Sequence, residues 1–182
     1  MLTLLQIQTS LHLHNMLCTT VLEIEPAGGP VQKCETDFVI FTQQYINHKV
    51  QIAIGECKNR GEITEDDVAK PRMVAEALEK KDIQVYVIFA KLSDFTSEEL
   101  VRCQAINGKY ERRLILFTAR ELEPYFLYEK TKEEFDIQGY AISLEDMANT
   151  THTVFYAHRK HTSMQEPPLQ RMVALFHHYS YR

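Results

Sequence analysis

Thr36-Asp-Phe-Val-Ile-Phe-Thr42 and Val50-Gln-Ile-Ala-Ile-Gly-Glu-Cys57 are the two stretches on which the fold turns. Both are rich in β-branched and apolar residues, and the second alternates Val50, Ile52 and Ile54 with Gln51, Ala53 and Gly55. Each reads as a strand. The polar connection from Gln43 to Lys49 is short enough for a hairpin, so the two should pair antiparallel. Upstream, Cys18-Thr-Thr-Val-Leu-Glu-Ile-Glu25 reads as a further strand. It is closed by Pro26-Ala-Gly-Gly-Pro30, where glycine supplies positive φ and proline cannot continue a central strand.

Downstream the pattern changes to alternating helices and buried strands. Thr64-Glu-Asp-Asp67 is a capping-box pattern and predicts a helix to about Lys81, with Val68, Val74, Ala77 and Leu78 facing inward. Pro71 is a misfit there, so the helix either kinks at that point or starts near it. Ile83-Gln-Val-Tyr-Val-Ile-Phe-Ala90 and Leu114-Ile-Leu-Phe117 are apolar runs expected of strands covered on both faces. Thr96-Ser-Glu-Glu99 opens a helix that Asn107-Gly108 stops. Thr118-Ala-Arg-Glu121 is expected to open the next, and Ser143-Leu-Glu-Asp146 one running towards Phe155. The fold class that follows is α/β, a central mixed β-sheet flanked by helices. Residues 1–157 form the domain, and Glu166-Pro-Pro168 lies in a basic, His-rich C-terminal segment, 158–182.

Bulk properties narrow the function classes. The 182 residues, 45% hydrophobic and 25% charged, suit one soluble domain, and no apolar run reaches the ~20 residues a spanning helix needs. The amino-terminal stretch lacks the features of a signal peptide, so a cytoplasmic location and no membrane partner are expected. Cys18, Cys34, Cys57 and Cys103 lie far apart without zinc spacing and read as small buried hydrophobes. The net charge is −5, but from His158 onward Arg159, Lys160, Arg171 and Arg182 face only Glu166. A +3 tail on a −8 body permits phosphate contacts as readily as a plain solvated surface.

The chemistry-bearing pattern sits on the two opening strands. Alternate side chains of a strand share a face, so Glu56 and Lys58 project together and Cys57 points away. An antiparallel hairpin brings Asp37, at the start of one strand, beside Glu56, at the end of the other. Two carboxylates can hold Mg²⁺, a hard cation that prefers oxygen ligands, and the Cys57 backbone carbonyl could add another oxygen. Lys58 could orient or deprotonate a water and stabilise charge on a phosphate under attack. Taken alone, a Glu-x-Lys triplet is more often a surface ion pair worth at most ~1 kcal/mol. Charge at the end of an apolar strand, with an acid on its neighbour, is what lifts this one above that background. The other candidates are weaker. His158, His161, His177 and His178 lack acidic or thiol partners, Tyr125, Phe126 and Tyr128 read as helix packing, and Gly28-Gly29 lacks the lysine of a phosphate loop.

Glu35-Thr-Asp37-Phe-Val-Ile followed by Ile54-Gly-Glu56-Cys-Lys58-Asn-Arg-Gly61 resembles the core of the PD-(D/E)xK restriction-endonuclease-like superfamily, especially its Mrr-like branch. The likeness runs from Val21 to Phe117. It implies a metal-dependent nuclease in prokaryotic defence or repair that uses Mg²⁺, with Mn²⁺ as a substitute. Asp37 and Glu56 would be its metal ligands and Lys58 its catalytic lysine. Nucleic acid, DNA above RNA, is the partner implied, and cutting both strands favours a homodimer. A catalytically inactive module that binds nucleic acid or a protein is the alternative. The superfamily places a helix, often with another acid, before its first strand. Here only Met1 to Met16 precede the strand, with His12 and His14 but no acid. Glu23 or Glu25 would have to serve instead, or the chain is a fragment lacking that helix.

Overall fold

A computed structural model describes residues 2–11, 14–24, 33–44, 49–79, 83–108, 111–122, 127–139 and 141–157. Five strands form one sheet in the order β1-β2-β3-β4-β5, with β1 at His14–Ile24, β2 at Cys34–Gln44, β3 at Val50–Lys58, β4 at Gln84–Lys91 and β5 at Leu114–Phe117. β1, β2 and β3 pair antiparallel, whereas β3, β4 and β5 run parallel. The α/β class with a mixed sheet is therefore as the sequence implies. β4 and β5 are buried along almost their whole length, as their uninterrupted apolar runs require.

Both faces of the sheet are covered. Val39, Ile52, Ile54, Val87 and Phe89 pack with α2 (Glu65–Glu79) and α3 (Ser97–Gln104) on one side. Phe38, Ile40, Ala53, Ile88 and Ile115 pack on the other with α1 (Leu2–Ser10) and α5 (Leu144–His152), α4 (Glu129–Phe135) lying between β5 and α5 in sequence. A π-helical turn at Thr153–Ala157 follows α5 directly. Gly55 has a packing reason. A Cβ there would lie 1.9 Å from the Phe38 ring, which sits directly over the glycine on the α1 side. Among the described residues no helix is long and apolar enough to cross a membrane.

Several expectations need correction. A helix does precede the first strand: α1 anchors Ile7 and Leu11 in the core, and Gln6 donates to the Leu122 carbonyl. It contains no acid. α2 begins at Glu65 and continues through Pro71, whose ring is buried; Pro71 and Ala75 face the core, while Ala77 and Leu78 are only half-buried. Thr118–Glu121 opens no helix. The Thr118 N–H donates to Glu121, but Thr118 Oγ1 takes the Arg120 N–H in place of that of Glu121, Glu121 also accepts from Thr131, and the segment is a self-contained turn. Cys34 and Cys103 are buried as expected, but Cys18 on the edge strand and Cys57 at the end of β3 are exposed. Tyr128 is a buried core residue that hydrogen-bonds to Thr151, in keeping with its reading as packing. The remaining readings on Tyr125, Phe126, Glu25, the Pro26–Pro30 turn and segment 158–182 lie outside the described residues.

Candidate active site

The site is set by where β2 stops pairing with β3. The ladder's final pair at this end is Phe38↔Gly55, and one further step in the same register places Asp37 across from Glu56. Two side chains then replace backbone groups. Thr36 Oγ1 donates to the Gly55 carbonyl at 2.9 Å, and Asp37 Oδ2 accepts from the Cys57 N–H at 2.6 Å. In a strand the N–H and C=O of one residue point the same way. The Cys57 carbonyl therefore faces the Asp37 side, beyond the last ladder pair. The strand on the other side of Asp37 is distorted as well. Thr20↔Phe38 and Leu22↔Thr36 pair, but Val21, between them and opposite Asp37, has φ +51°. A β-branched residue there carries strain of about 1–3 kcal/mol, of a kind that clusters at functional sites.

Glu56 and Lys58 share the α2 face, since Ile52 and Ile54 before them pack there. Asp37 is exposed, and Glu56 and Lys58 are half-buried. Burial, reinforced by the neighbouring Asp37 carboxylate, raises the Glu56 carboxyl to about 7; Lys58 and Lys70 oppose the rise and Asp67 adds to it. Among the described residues no hydrogen bond to the Glu56 carboxylate offsets that burial. Lys58 donates to Asp67 Oδ1 at 2.9 Å, and that bond raises its pKa above the ordinary lysine value despite partial burial. Asp67 is the third residue of α2 and the acid of its capping box, accepting from the Thr64 N–H at 2.8 Å while its own N–H donates to Thr64 Oγ1 at 3.2 Å. Burial pushes the Asp67 carboxyl up, but the bonds from Lys58 and Thr64 outweigh this and hold it below its usual range.

The structure thus brings Asp37, Glu56 and Lys58 to one end of the sheet and adds Asp67 and Lys70, which sequence reasoning did not assign to the site. The signal for Asp67 was present in the Thr64 capping pattern, but that pattern says nothing of the third bond, to Lys58. A cavity of about 440 Å³ opens beside this cluster, lined by Glu23, Cys34, Glu35, Glu56, Asp67 and Lys70 among others. Glu23 and Glu35 face each other in the β1–β2 register, so the acid considered on the first strand does reach this cavity. A separate cavity of about 490 Å³ lies at the far end of α2 beside Arg113, whose guanidinium is held by Glu79 and Glu111. No residue of the candidate site lines it.

A second lysine explains how the surrounding loop is held. Lys91 ends β4 opposite Lys58 in register, and it pairs with Glu99 as Lys58 pairs with Asp67. Glu99 is fully buried and saturated: Oε1 takes Lys91 and the Ile63 N–H, both at 2.8 Å, and Oε2 takes Lys91 at 3.0 Å and the Thr96 N–H at 2.7 Å. Arg102 adds a bond to the Ile63 carbonyl at 2.7 Å. The connection from Lys58 to α2 is thereby fixed at Ile63, which in turn places Thr64 and Asp67.

Among the described residues no three His, Cys, Asp or Glu side chains close on a point that would hold a metal. The donor set on offer is smaller: the Asp37 and Glu56 carboxylates with the Cys57 carbonyl. That set fits Mg²⁺, which usually takes one or two protein carboxylates and keeps several waters. It does not fit zinc, which would need nitrogen or sulfur ligands in a tetrahedron.

No protein-family profile matches the chain, and no curated protein matches it either. Among solved structures it is similar to the small subunit of the heterodimeric restriction endonuclease R.BspD6I, at 14% identity and a TM-score of 0.40 over 83% of this chain and 84% of that one.

Proposed function

We propose that the chain is a Mg²⁺-dependent nuclease that hydrolyses phosphodiester bonds, with DNA the substrate its resemblance to restriction-endonuclease-like proteins implies. The observation that carries this reading is the meeting of Asp37, Glu56 and Lys58 at an open strand end. There burial and the Asp37 carboxylate make ionised Glu56 unfavourable without a cation. Asp37, Glu56 and the Cys57 carbonyl would hold the ion. When bound, it would polarise the phosphate and lower the pKa of a coordinated water. Asp37 Oδ2 is already positioned by the Cys57 N–H, so one ligand needs little reorganisation. Lys58 is kept protonated by Asp67, which suits it to orienting the attacking water and stabilising charge on the phosphate, not to removing a proton. The buried Lys91–Glu99 pair maintains the loop that follows Lys58.

Calorimetric titration with Mn²⁺ beside a plasmid-nicking assay tests this. Wild type should bind the ion and nick. Asp37→Asn should lose both, because a neutral amide is a poorer ligand for a hard dication. Lys58→Met should bind Mn²⁺ at least as tightly and not nick. A wild-type protein that neither binds Mn²⁺ nor cuts DNA, RNA or single strands overturns the reading.

A further inference from the structure

The cavity beside Glu56 is lined by a cation that the three-residue motif does not contain. Lys70 lies three residues beyond Asp67 on α2, and side chains at that spacing share a helix face. Both line the cavity with Glu56, whereas Lys58 does not line it and is bound to Asp67. Lys70 is exposed and, among the described residues, has no hydrogen-bond or ion-pair partner. Lys33, the other lysine at the cavity, is paired with Glu23. The field of Lys70 reaches Glu56 and Cys34, where it partly offsets the effect of burial on both acids. An ammonium beside Glu56, one of the two acids that would hold a dication, is placed to receive an anion bound next to that ion.

We propose that Lys70 contacts a phosphate of the nucleic-acid backbone at the cavity, next to the phosphate that Lys58 and Glu56 act upon. This rests on the nuclease reading and adds a division of labour to it. Lys58, held by Asp67, serves the reacting group, and Lys70, exposed at the cavity, binds the strand. A lysine acts here as a point charge with three rotatable donors, so the contact carries affinity without sequence preference.

The test is equilibrium binding of a short labelled DNA duplex, followed by anisotropy across a salt series with Ca²⁺ present. Losing one phosphate contact should flatten the slope of log K against log[salt] by about 0.9. Lys70→Gln should show that change and bind several-fold more weakly. Lys70→Arg should retain the wild-type slope, and so should Lys33→Gln, whose cation is already paired. Unchanged thermal midpoints would show that the folds are intact, as expected for an exposed side chain. A Lys70→Gln slope equal to wild type overturns the assignment, as does an equal loss in Lys33→Gln. If wild type binds no duplex at all, the nuclease reading fails and this inference with it.

Discussion

Glu56→Gln should make the metal-free protein more stable, although it removes a residue on which the proposed activity depends. The reasoning starts from the Glu56 carboxyl, raised to about 7 against 4.5 for an ordinary glutamate, chiefly by burial and then by Asp37. Because the folded value is the higher one, between those two pH values the native state keeps a proton that the unfolded chain has released. Stability therefore falls as pH rises through that window, and the penalty is complete above about pH 7. At roughly 1.4 kcal/mol per tenfold change in proton affinity the full displacement would cost on the order of 3 kcal/mol. Glu56 is only half-buried, so solvent screening reduces this to about 1–2 kcal/mol. Glutamine has nearly the same shape and is neutral at every pH, so it mimics the protonated acid. Urea unfolding in EDTA, at about pH 8 and about pH 5, should then give a variant that is more stable by about 1–2 kcal/mol in the first case and much closer to wild type in the second. Adding Mg²⁺ at the higher pH should stabilise wild type by mass action and leave the variant unmoved. A variant less stable than wild type at both pH values, or more stable by the same margin at both, would refute the argument that ionised Glu56 is strained.

Asp37→Asn and Asp37→Ala should both lose Mn²⁺ affinity but differ in stability. Asparagine can still accept the Cys57 N–H, while alanine abandons it at a cost of about 1 kcal/mol, and unfolding of the two variants beside calorimetry separates the effects. Lys91→Met should be far more damaging than any change at Lys58, because it leaves the fully buried Glu99 carboxylate without its cation. The expected loss is about 3–5 kcal/mol, towards the lower end because the Ile63 and Thr96 N–H groups remain, and adding Glu99→Gln should recover part of it.

What could be read in the sequence was local. The hairpin strands, the buried runs of β4 and β5 and the boxes at Thr64, Thr96 and Ser143 are each specified by a few neighbouring residues, and each forms where those residues say. α1 was missed because Leu2–Ser10 has no acid in its first turn and no base in its last. The helix is held by tertiary burial of Ile7 and Leu11, which no local pattern announces. The turn at Thr118 misled for the opposite reason. Only half of its box forms: Glu121 accepts the Thr118 N–H, but Thr118 Oγ1 takes the Arg120 N–H in place of that of Glu121, Glu121 is also engaged by Thr131 in the core, and no helix grows from it.

The harder question is why Glu56-Cys-Lys58 should be a site when Lys91 does the same thing without being one. Lys58 and Lys91 end adjacent parallel strands in register. Each is followed by a Thr-x-x-acid cap, and each binds the acid of that cap, nine residues on at Asp67 and eight on at Glu99. The device is therefore a strand-to-helix staple built twice, and Lys58 alone would be explained by it. Exposure separates the copies. The Lys91 and Glu99 side chains are 4% and 0% accessible, with every carboxylate oxygen satisfied, whereas Lys58 and Asp67 are 30% and 19% accessible. Only the open copy has a carboxyl two residues upstream, the half-buried Glu56, where β4 has Phe89 in the core. Position decides the difference. At Phe89 β4 is flanked by both β3 and β5, whereas at Glu56 β3 has already lost its β2 partner, and the gap admits Asp37 and solvent. Chemistry is thus proposed where a structural staple meets the end of a ladder.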